Sequence, residues 1–177
     1  MLTAYEDTPL GSMVLDNKYN LPDEETTTQM FKLIDNYLES KGFYRYELSN
    51  WAKNGFKCKH NLFYWTDQYF LGIGVSAWSY IGNKRFGNTK NLTEYFEMVY
   101  KGEKPVKFRE TLSEEDSRFE KIMLGLRLKE GIDVNFIKNK EILKELEKEG
   151  FGIIKENKFS LTQDGLMLIN QIITKLF

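Results

Sequence analysis

The chain has 177 residues, 41 % hydrophobic and 15 % aromatic, so it is long and apolar enough to bury a core and is not a disordered chain. Lysine and arginine number 25 against 26 aspartate and glutamate, a net charge of -1, which argues against a sequence-independent nucleic-acid binder. A single cysteine excludes an internal disulfide, and the absence of a leader or a long apolar run predicts a cytoplasmic protein without a membrane span.

The first elements in chain order are a short strand, a loop and a helix. The strand is predicted at residues 2–6, and residues 12–20 carry no clear periodic signal. A helix is predicted over 23–41, because Pro22 presets φ, acidic residues follow it and apolar residues then recur at helical spacing. Gly42 ends this helix.

Two strands are predicted next. Residues 44–48 alternate aromatic and polar side chains, as a half-buried strand does, and Asn54-Gly55 predicts a tight turn. The apolar run 70–73 predicts a buried neighbouring strand. A helix followed by such strands is typical of the closing part of a partial βα barrel, in which functional groups follow the strands.

The next segment predicts a hairpin and a helix. Residues 78–81 and 85–88 look extended around Gly82-Asn83, and apolar residues at helical spacing predict a short helix between 92 and 100. Residues 102–110 look like a charged connector, so we expect one domain over 1–104 and a second over 105–177.

The last third predicts a small, mostly helical domain. A capping box at Ser113–Asp116 begins a helix, Asp133 caps a short turn and a further helix ends at Gly150. A hairpin around Glu156-Asn157 and a final helix capped by Thr162 follow. This order is winged-helix-like, so the predicted fold class is α/β, with a partial open barrel followed by a winged-helix-like domain.

Residues 44–80 hold the most distinctive side chains. They contain the only histidine, the only cysteine and all three tryptophans. Three linked motifs stand in this order: Tyr46-Glu47-Leu48-Ser49-Asn50-Trp51-Ala52-Lys53, His60-Asn61-Leu62-Phe63-Tyr64-Trp65 and Tyr69-Phe70-Leu71-Gly72-Ile73-Gly74-Val75-Ser76-Ala77. This arrangement resembles the radical-SAM heme chaperones, long grouped with the oxygen-independent coproporphyrinogen III oxidases, and covers about the second half of such a protein.

The resemblance implies a parent protein that uses S-adenosylmethionine and a 4Fe–4S cluster held by a Cys-x3-Cys-x2-Cys loop. One cysteine cannot supply three thiolates, so we expect this chain alone to be unable to build the cluster and to be inactive as a radical enzyme. The chain is interpreted as a C-terminal portion. Its expected partners are the missing half, heme or porphyrin, a hemoprotein acceptor and a second copy through the exposed barrel edge.

His60 is the candidate heme-iron and metal ligand, since imidazole ligates heme iron. The resemblance extends a heme-binding role to Asn61, Tyr64 and Trp65. The rings of Tyr64 and Trp65 either stack on a porphyrin or pack in the core. Cys58 is interpreted as structural, and its neighbours Lys57 and Lys59 either meet propionates or are simply solvated.

Five further residues are expected by resemblance to lie near the cofactor cavity: Glu47, Ser49, Asn50, Gly72 and Gly74. Alternatively, Glu47 pairs with a cation, and Ser49 and Asn50 turn the chain. A dinucleotide fingerprint at the two glycines is rejected, because no amphipathic helix follows them.

Three functions follow from these patterns. The first is transient heme binding and transfer to hemoproteins, and the second is a fragment of a coproporphyrinogen oxidase that supplies only substrate contacts. The third is winged-helix DNA binding, which the mixed charges of the helix 140–149 disfavour. No pair of carboxylates, hydrolase triad, P-loop or zinc spacing stands out, and no catalytic residue is assigned.

Overall fold

The computed structural model describes residues 4–177, which divide into two compact units, Met1–Lys57 and Cys58–Phe177. All strand ladders within the described residues are antiparallel, in one two-stranded and two three-stranded sheets. The mixed α/β class predicted from the sequence is confirmed. Of the strand predicted at 2–6, residues 2 and 3 lie outside the described part, and residues 4–6 form no strand.

The first unit begins with a helix that the sequence reading missed. Helix α1 spans Pro9–Leu15, where a loop and an unpatterned stretch were expected. The Thr8 hydroxyl accepts a hydrogen bond from the Gly11 N–H at 3.1 Å, and Pro9 stands in the first turn. Both are ordinary helix-start signals, but too few apolar residues follow them to give a periodic pattern.

Helix α2 (Glu24–Ser40) confirms the predicted helix and leads into a hairpin. Asp23 caps it by accepting from the Thr26 N–H at 2.7 Å, and no residue of the helix is fully buried. Strands β1 (Tyr44–Glu47) and β2 (Asn50–Ala52) pair antiparallel, with a register shift between Arg45 and Glu47.

The second unit begins with α3 (Lys59–Trp65), β3 (Trp78–Ile81), β4 (Lys84–Asn88), α4 (Leu92–Tyr100) and β5 (Val106–Thr111). The hairpin and the helix α4 were predicted correctly. The prediction of a buried strand at 70–73 was wrong, because Phe70 makes one isolated bridge to Tyr80 and Ile73 is exposed. The prediction of a connector at 102–110 was also wrong from residue 106 onward, because β5 begins there and pairs with β4.

The remaining elements are α5 (Glu114–Gly125), β6 (Ile132–Asp133), a 3-10 turn (Val134–Phe136), α6 (Lys140–Lys148), β7 (Gly152–Lys155), β8 (Lys158–Leu161), α7 (Gln163–Met167) and α8 (Ile169–Leu176). Their order matches the sequence prediction, including the capping box at Ser113 and Asp116, except that β6 was not predicted. One correction is that Leu168 divides the final helix into α7 and α8.

The apolar core lies in this last part of the chain. The sheet runs in the order β6-β8-β7, so the central strand β8 carries Phe159 into the interior, where it is completely buried. Ile122 and Leu126 of α5 are equally buried. No helix within residues 4–177 is both long and apolar enough to cross a membrane.

Candidate functional site

The helix α3 carries the predicted heme-binding residues, and it replaces the loop in which His60 was expected. His60 and Tyr64 are four positions apart in the helix, so their side chains lie on the same face. The His60 Nε2 and the Tyr64 hydroxyl are 2.9 Å apart, and the two rings meet edge to face with centroids 5.1 Å apart. The structure therefore brings two of the predicted residues into direct contact.

The exposure of this face decides what it can contact. His60 is exposed, as are Phe63 (47 %) and Tyr64 (41 %), so the imidazole is not enclosed in a dry interior. Asn61 is half-buried and engaged in interactions of its own. Trp65 is also half-buried, and its Nε1 is a buried donor without a hydrogen-bond acceptor among the described residues. The exposed imidazole and the aromatic side chains around it form a surface that a flat ligand can reach.

An aromatic cluster joins α3 to the sheet. The Tyr64 ring packs edge to face on Phe70 at 4.7 Å, and Phe70 exchanges two backbone hydrogen bonds of 2.9 Å with Tyr80 on β3. The Tyr69 ring also contacts Tyr80, at 5.9 Å. These contacts fix the C-terminal end of α3 against β3, which holds the His60 face in a defined position.

A polar cluster that the sequence reading missed supports the same junction. The Asp67 carboxylate acts on the Tyr80 hydroxyl, and the Lys121 Nζ lies 3.5 Å from an oxygen of that carboxylate. Burial and the Asp67 carboxylate raise the pKa of Tyr80 to about 12. The three residues are far apart in sequence, so no local pattern indicates that they meet.

The two predicted cavity glycines lie in the segment between α3 and β3. A Cβ on Gly72 would stand 2.1 Å from the Trp78 carbonyl oxygen, and the Gly72 N–H donates to the Ser79 hydroxyl at 2.9 Å. Gly74 has a φ of 110°, and its carbonyl accepts from the Asn88 side chain at 2.8 Å. Gly72 thus allows close backbone packing, whereas Gly74 adopts a backbone angle that favours glycine. Their predicted role at a cofactor stays a prediction.

Within the first unit, Glu47, Ser49 and Asn50 form one cluster. The Glu47 side chain is completely buried and accepts hydrogen bonds from the Ser49 N–H at 3.2 Å, the Ser49 hydroxyl at 3.3 Å and the Asn50 amide. These bonds close the hairpin between β1 and β2. The alternative that Ser49 and Asn50 turn the chain is confirmed, and the predicted cofactor role of the three residues remains untested.

A second polar cluster in the first unit ties α2 to the hairpin. Trp51 Nε1 donates to an Asp35 carboxylate oxygen at 2.6 Å, and Arg45 Nε lies 3.4 Å from the same oxygen. The Arg45 guanidinium stands 5.9 Å from the Phe31 ring centroid. Arg45 therefore pairs with Asp35 on α2, and Glu47 has hydroxyl and amide partners instead.

Cys58 and its lysine neighbours are all exposed. Cys58 stands at the N-cap of α3 without a side-chain capping bond. Among residues 4–177, no group of three or more His, Cys, Asp or Glu side chains is arranged to hold a metal ion. A metal bound by these residues would therefore have fewer than three such side chains as ligands, as heme iron can.

Comparison with known proteins identifies relatives. Residues 112–168 match the family model of the HemN C-terminal domain. The heme chaperone HemW of Bacillus subtilis is 29 % identical over 173 residues, which is 91 % of this chain and 45 % of HemW. HemW of Mycobacterium tuberculosis is 33 % identical over 131 residues, 74 % of this chain and 34 % of that protein. The chain therefore spans less than half the length of these relatives.

The fold also has a known counterpart. The structure of coproporphyrinogen III oxidase (HemN) from Escherichia coli, a radical SAM enzyme, superimposes with a TM-score of 0.64 at 19 % identity, covering 87 % of this chain and 41 % of that one. At this identity the likeness concerns the fold alone. The C-terminal domain match and the relatives together show that this chain is similar to the HemW heme chaperones and, over residues 112–168, to the C-terminal domain of HemN.

Proposed function

We propose that this chain is the C-terminal portion of a radical-SAM heme chaperone that binds heme transiently and passes it to a hemoprotein acceptor. The observation that carries the proposal is the exposed imidazole of His60, paired with Tyr64 inside the motif His60-Asn61-Leu62-Phe63-Tyr64-Trp65. The naming of its relatives as heme chaperones supports the same cargo.

The side chains on α3 fit heme as a cargo. His60 supplies a nitrogen ligand for the iron, and the exposed rings of Phe63 and Tyr64 supply apolar area for a porphyrin face. Nε2 is engaged by the Tyr64 hydroxyl at 2.9 Å, so ligation through this nitrogen requires that hydrogen bond to open. Asn61 and Trp65 are proposed to complete the contact, with Lys57 and Lys59 as charges for propionates.

Transient binding follows from the exposure of the ligand. A single imidazole at the surface gives the iron one protein ligand, and an acceptor protein can approach it without unfolding α3. A buried ligand would hold heme longer, because release would require the surrounding structure to open. The exposed His60 face therefore suits delivery better than storage.

The radical chemistry is proposed to belong to a part of the parent protein that this chain does not carry. The three-thiolate site of a 4Fe–4S cluster does not fit a chain with one cysteine, Cys58. We infer that a cluster-bearing, S-adenosylmethionine-binding partner, on the same longer protein or on a separate chain, supplies that activity. Glu47, Ser49 and Asn50 of the first unit, and Gly72 and Gly74 of the second, are proposed as residues for cofactor contacts.

The finer fold assignment is also a proposal. The sheet order β6-β8-β7 and the hairpin after α6 support a winged-helix-like C-terminal domain over 105–177, and the likeness to HemN supports a partial barrel over 1–104. A DNA-binding role is disfavoured, because α6 alternates lysine with glutamate and Lys144 pairs with Glu141 at 2.9 Å. Self-association through a sheet edge and a cytoplasmic location stay predictions.

The second candidate function is a part of a coproporphyrinogen III oxidase, favoured by the structural likeness to HemN. In that case this chain contributes substrate contacts and no reaction by itself. Porphyrin turnover that appears when a cluster-bearing partner is added would support this function. Heme binding without such turnover would support the chaperone.

Heme titration of the purified chain tests the proposal. We expect the Soret band of ferric heme to shift on binding, and the shift to be lost in His60→Ala. Cys58→Ala is the matched control, because it removes the other candidate iron ligand two residues away, and its titration should equal that of the wild type. An unchanged shift in His60→Ala, or loss in Cys58→Ala alone, would contradict the assignment.

A further inference from the structure

Two neighbouring cavities in the second unit form one groove along α5. The larger has a volume of about 900 Å³ and the smaller about 640 Å³. They share the lining residues Asn83, Ser117, Lys121 and Phe136, so a ligand can extend from one into the other. We call this feature the α5 groove. His60 and Tyr64 line neither cavity, and of the residues proposed to contact heme Trp65 lines the larger one. The groove therefore borders the proposed heme surface but does not include the candidate iron ligand.

The two cavities of the α5 groove are lined by different kinds of side chain. Trp65 and Tyr69 line the larger cavity, and Arg118 lines the smaller one. Phe136 belongs to both, as do the hydrogen-bonding side chains Asn83 and Ser117. A pocket with aromatic walls and a few polar groups is the usual form of a small-molecule site, and both volumes fall in the range of such sites.

Two of the lining residues hold donors that lack acceptors. Trp65 Nε1 and Arg118 Nη2 are buried and make no hydrogen bond within the described part of the chain. Arg118 Nη2 approaches Glu115 only to 3.6 Å, although Nη1 donates to the Phe136 carbonyl at 3.3 Å. A buried donor without an acceptor is unfavourable, so a ligand that brings acceptors is favoured at both ends.

The charges at the groove point to an anion. Three carboxylates line it, but Asp67 is already matched by Lys121 and Tyr80. Asp133 accepts from the Asn135 N–H at 2.8 Å and the Asn157 amide at 2.9 Å. Glu114 is exposed at the mouth of the smaller cavity. Lys158 also lines the larger cavity, and Arg118 lines the smaller one. Glu115 lies 3.6 Å from Arg118 Nη2 but is shared with Lys138 at 3.3 Å, and Nη2 makes no hydrogen bond within the described part of the chain. The groove therefore carries positive charge that suits a carboxylate or sulfonate.

We propose that the α5 groove binds an organic anion with a flat aromatic body. Arg118 holds the anionic group, with Ser117 and Asn83 as neighbouring hydrogen-bond partners. Trp65, Tyr69 and Phe136 contact the aromatic body. Binding in the α5 groove does not require iron ligation by His60. The groove proposal therefore does not depend on the heme proposal.

The test uses 8-anilinonaphthalene-1-sulfonate, a flat aromatic sulfonate, on the native full chain. We expect a saturable fluorescence increase with one dye per chain, and at least tenfold weaker binding in Ser117→Phe, which fills the groove and leaves the charges unchanged. Arg118→Met should weaken binding similarly. N-phenyl-1-naphthylamine, the uncharged analogue, should bind at least tenfold more weakly than the sulfonate.

Matched controls separate this site from others. Lys144→Met removes a cation from α6, away from the groove lining, and should leave the affinity unchanged, as should His60→Ala. Circular dichroism melts verify that Ser117→Phe is folded. Wild-type affinity in folded Ser117→Phe, equal binding of the uncharged analogue, or loss of binding in His60→Ala would overturn the proposal.

Discussion

At the scale of single residues, the chemistry of the heme surface depends on the bond between His60 and Tyr64. The hydroxyl stands 2.9 Å from Nε2, the nitrogen that a heme iron would take. A hydrogen bond of this kind contributes about 0.5–1.5 kcal/mol net. Tyr64 therefore competes with iron through its hydroxyl while its ring offers a contact to the porphyrin.

Replacing Tyr64 with phenylalanine separates these two effects. The variant keeps the ring and frees Nε2, so we expect ferric heme to bind about 2- to 10-fold more tightly, following from the hydrogen-bond energy. Tyr64→Ala removes the ring as well and should bind more weakly than Tyr64→Phe. Heme titrations of the three proteins give the comparison, and weaker binding by Tyr64→Phe would show that the hydroxyl itself assists the ligand.

Tyr80 gives a pH-dependent prediction. Its pKa is about 12 in the folded chain and about 10 when unfolded, so the folded state holds the proton more tightly. The contribution of Tyr80 to the free energy of unfolding is therefore present in full below pH 10 and is lost as the pH rises towards 12. We expect the wild type to lose on the order of 2 kcal/mol across this window through Tyr80.

Urea unfolding at pH 9 to 11.5 measures this effect. Tyr80→Phe should lose less stability over that range than the wild type, because it lacks the titrating hydroxyl. Tyr100→Phe is the matched control, since Tyr100 is 85 % exposed on α4 and should leave the pH dependence unchanged. Identical slopes for Tyr80→Phe and the wild type would contradict the Asp67 contact.

At the scale of elements, the turn between α5 and β6 depends on a glycine that cannot be replaced. Gly131 has a φ of 68°, and a Cβ there would stand 2.0 Å from the Phe159 carbonyl oxygen on β8. The turn thus lies directly against the strand that carries the buried Phe159. Gly150, after α6, has a similar φ of 82° but nothing within 4 Å of a Cβ.

Alanine at these two glycines should have unequal effects. Gly150→Ala is expected to cost about 1 kcal/mol, because only the backbone angle is unfavourable. Gly131→Ala adds a backbone clash and should cost at least about 3 kcal/mol. The shift of the urea midpoint measures both, and equal shifts would show that the close approach to Phe159 is relieved without cost.

At the scale of the whole molecule, the buried core is concentrated in the second unit. Tyr46 is the one buried hydrophobic side chain described in the first unit, whereas the other buried hydrophobic residues belong to the second. Helix α2 instead exposes an apolar face of Met30, Leu33, Ile34 and Tyr37. The free energy of local opening should therefore differ between the units.

Hydrogen exchange checks this difference. Amides of α2 are expected to exchange substantially faster than those of α5 and α6, because α2 has no fully buried residue and the other two helices bury leucine and isoleucine. Uniform protection across the three helices would show that α2 is stabilised as strongly as the core of the second unit.

How much could be predicted from the sequence depended on the kind of signal. Helix α6 and the hairpin β7–β8 were placed correctly, because a strong apolar stripe and an Asn-containing turn are local. The prediction of a strand at 70–73 was wrong, because an apolar run also occurs in segments that make only one isolated bridge to a strand. The contact between His60 and Tyr64 was accessible only once α3 was known to be a helix.

The amino-acid order by itself indicated the similarity to heme chaperones, through three linked motifs, and it determined most helices and hairpins, through caps, turns and periodic apolar residues. Only the tertiary structure decided that His60 is exposed and bonded to Tyr64, that Asp67 meets Tyr80 and Lys121, and that a groove runs along α5. The physical reason is the separation in sequence over which the interactions act. Helix caps and periodic apolar residues involve residues a few positions apart. A polar cluster or a cavity forms from distant residues only when the chain has packed.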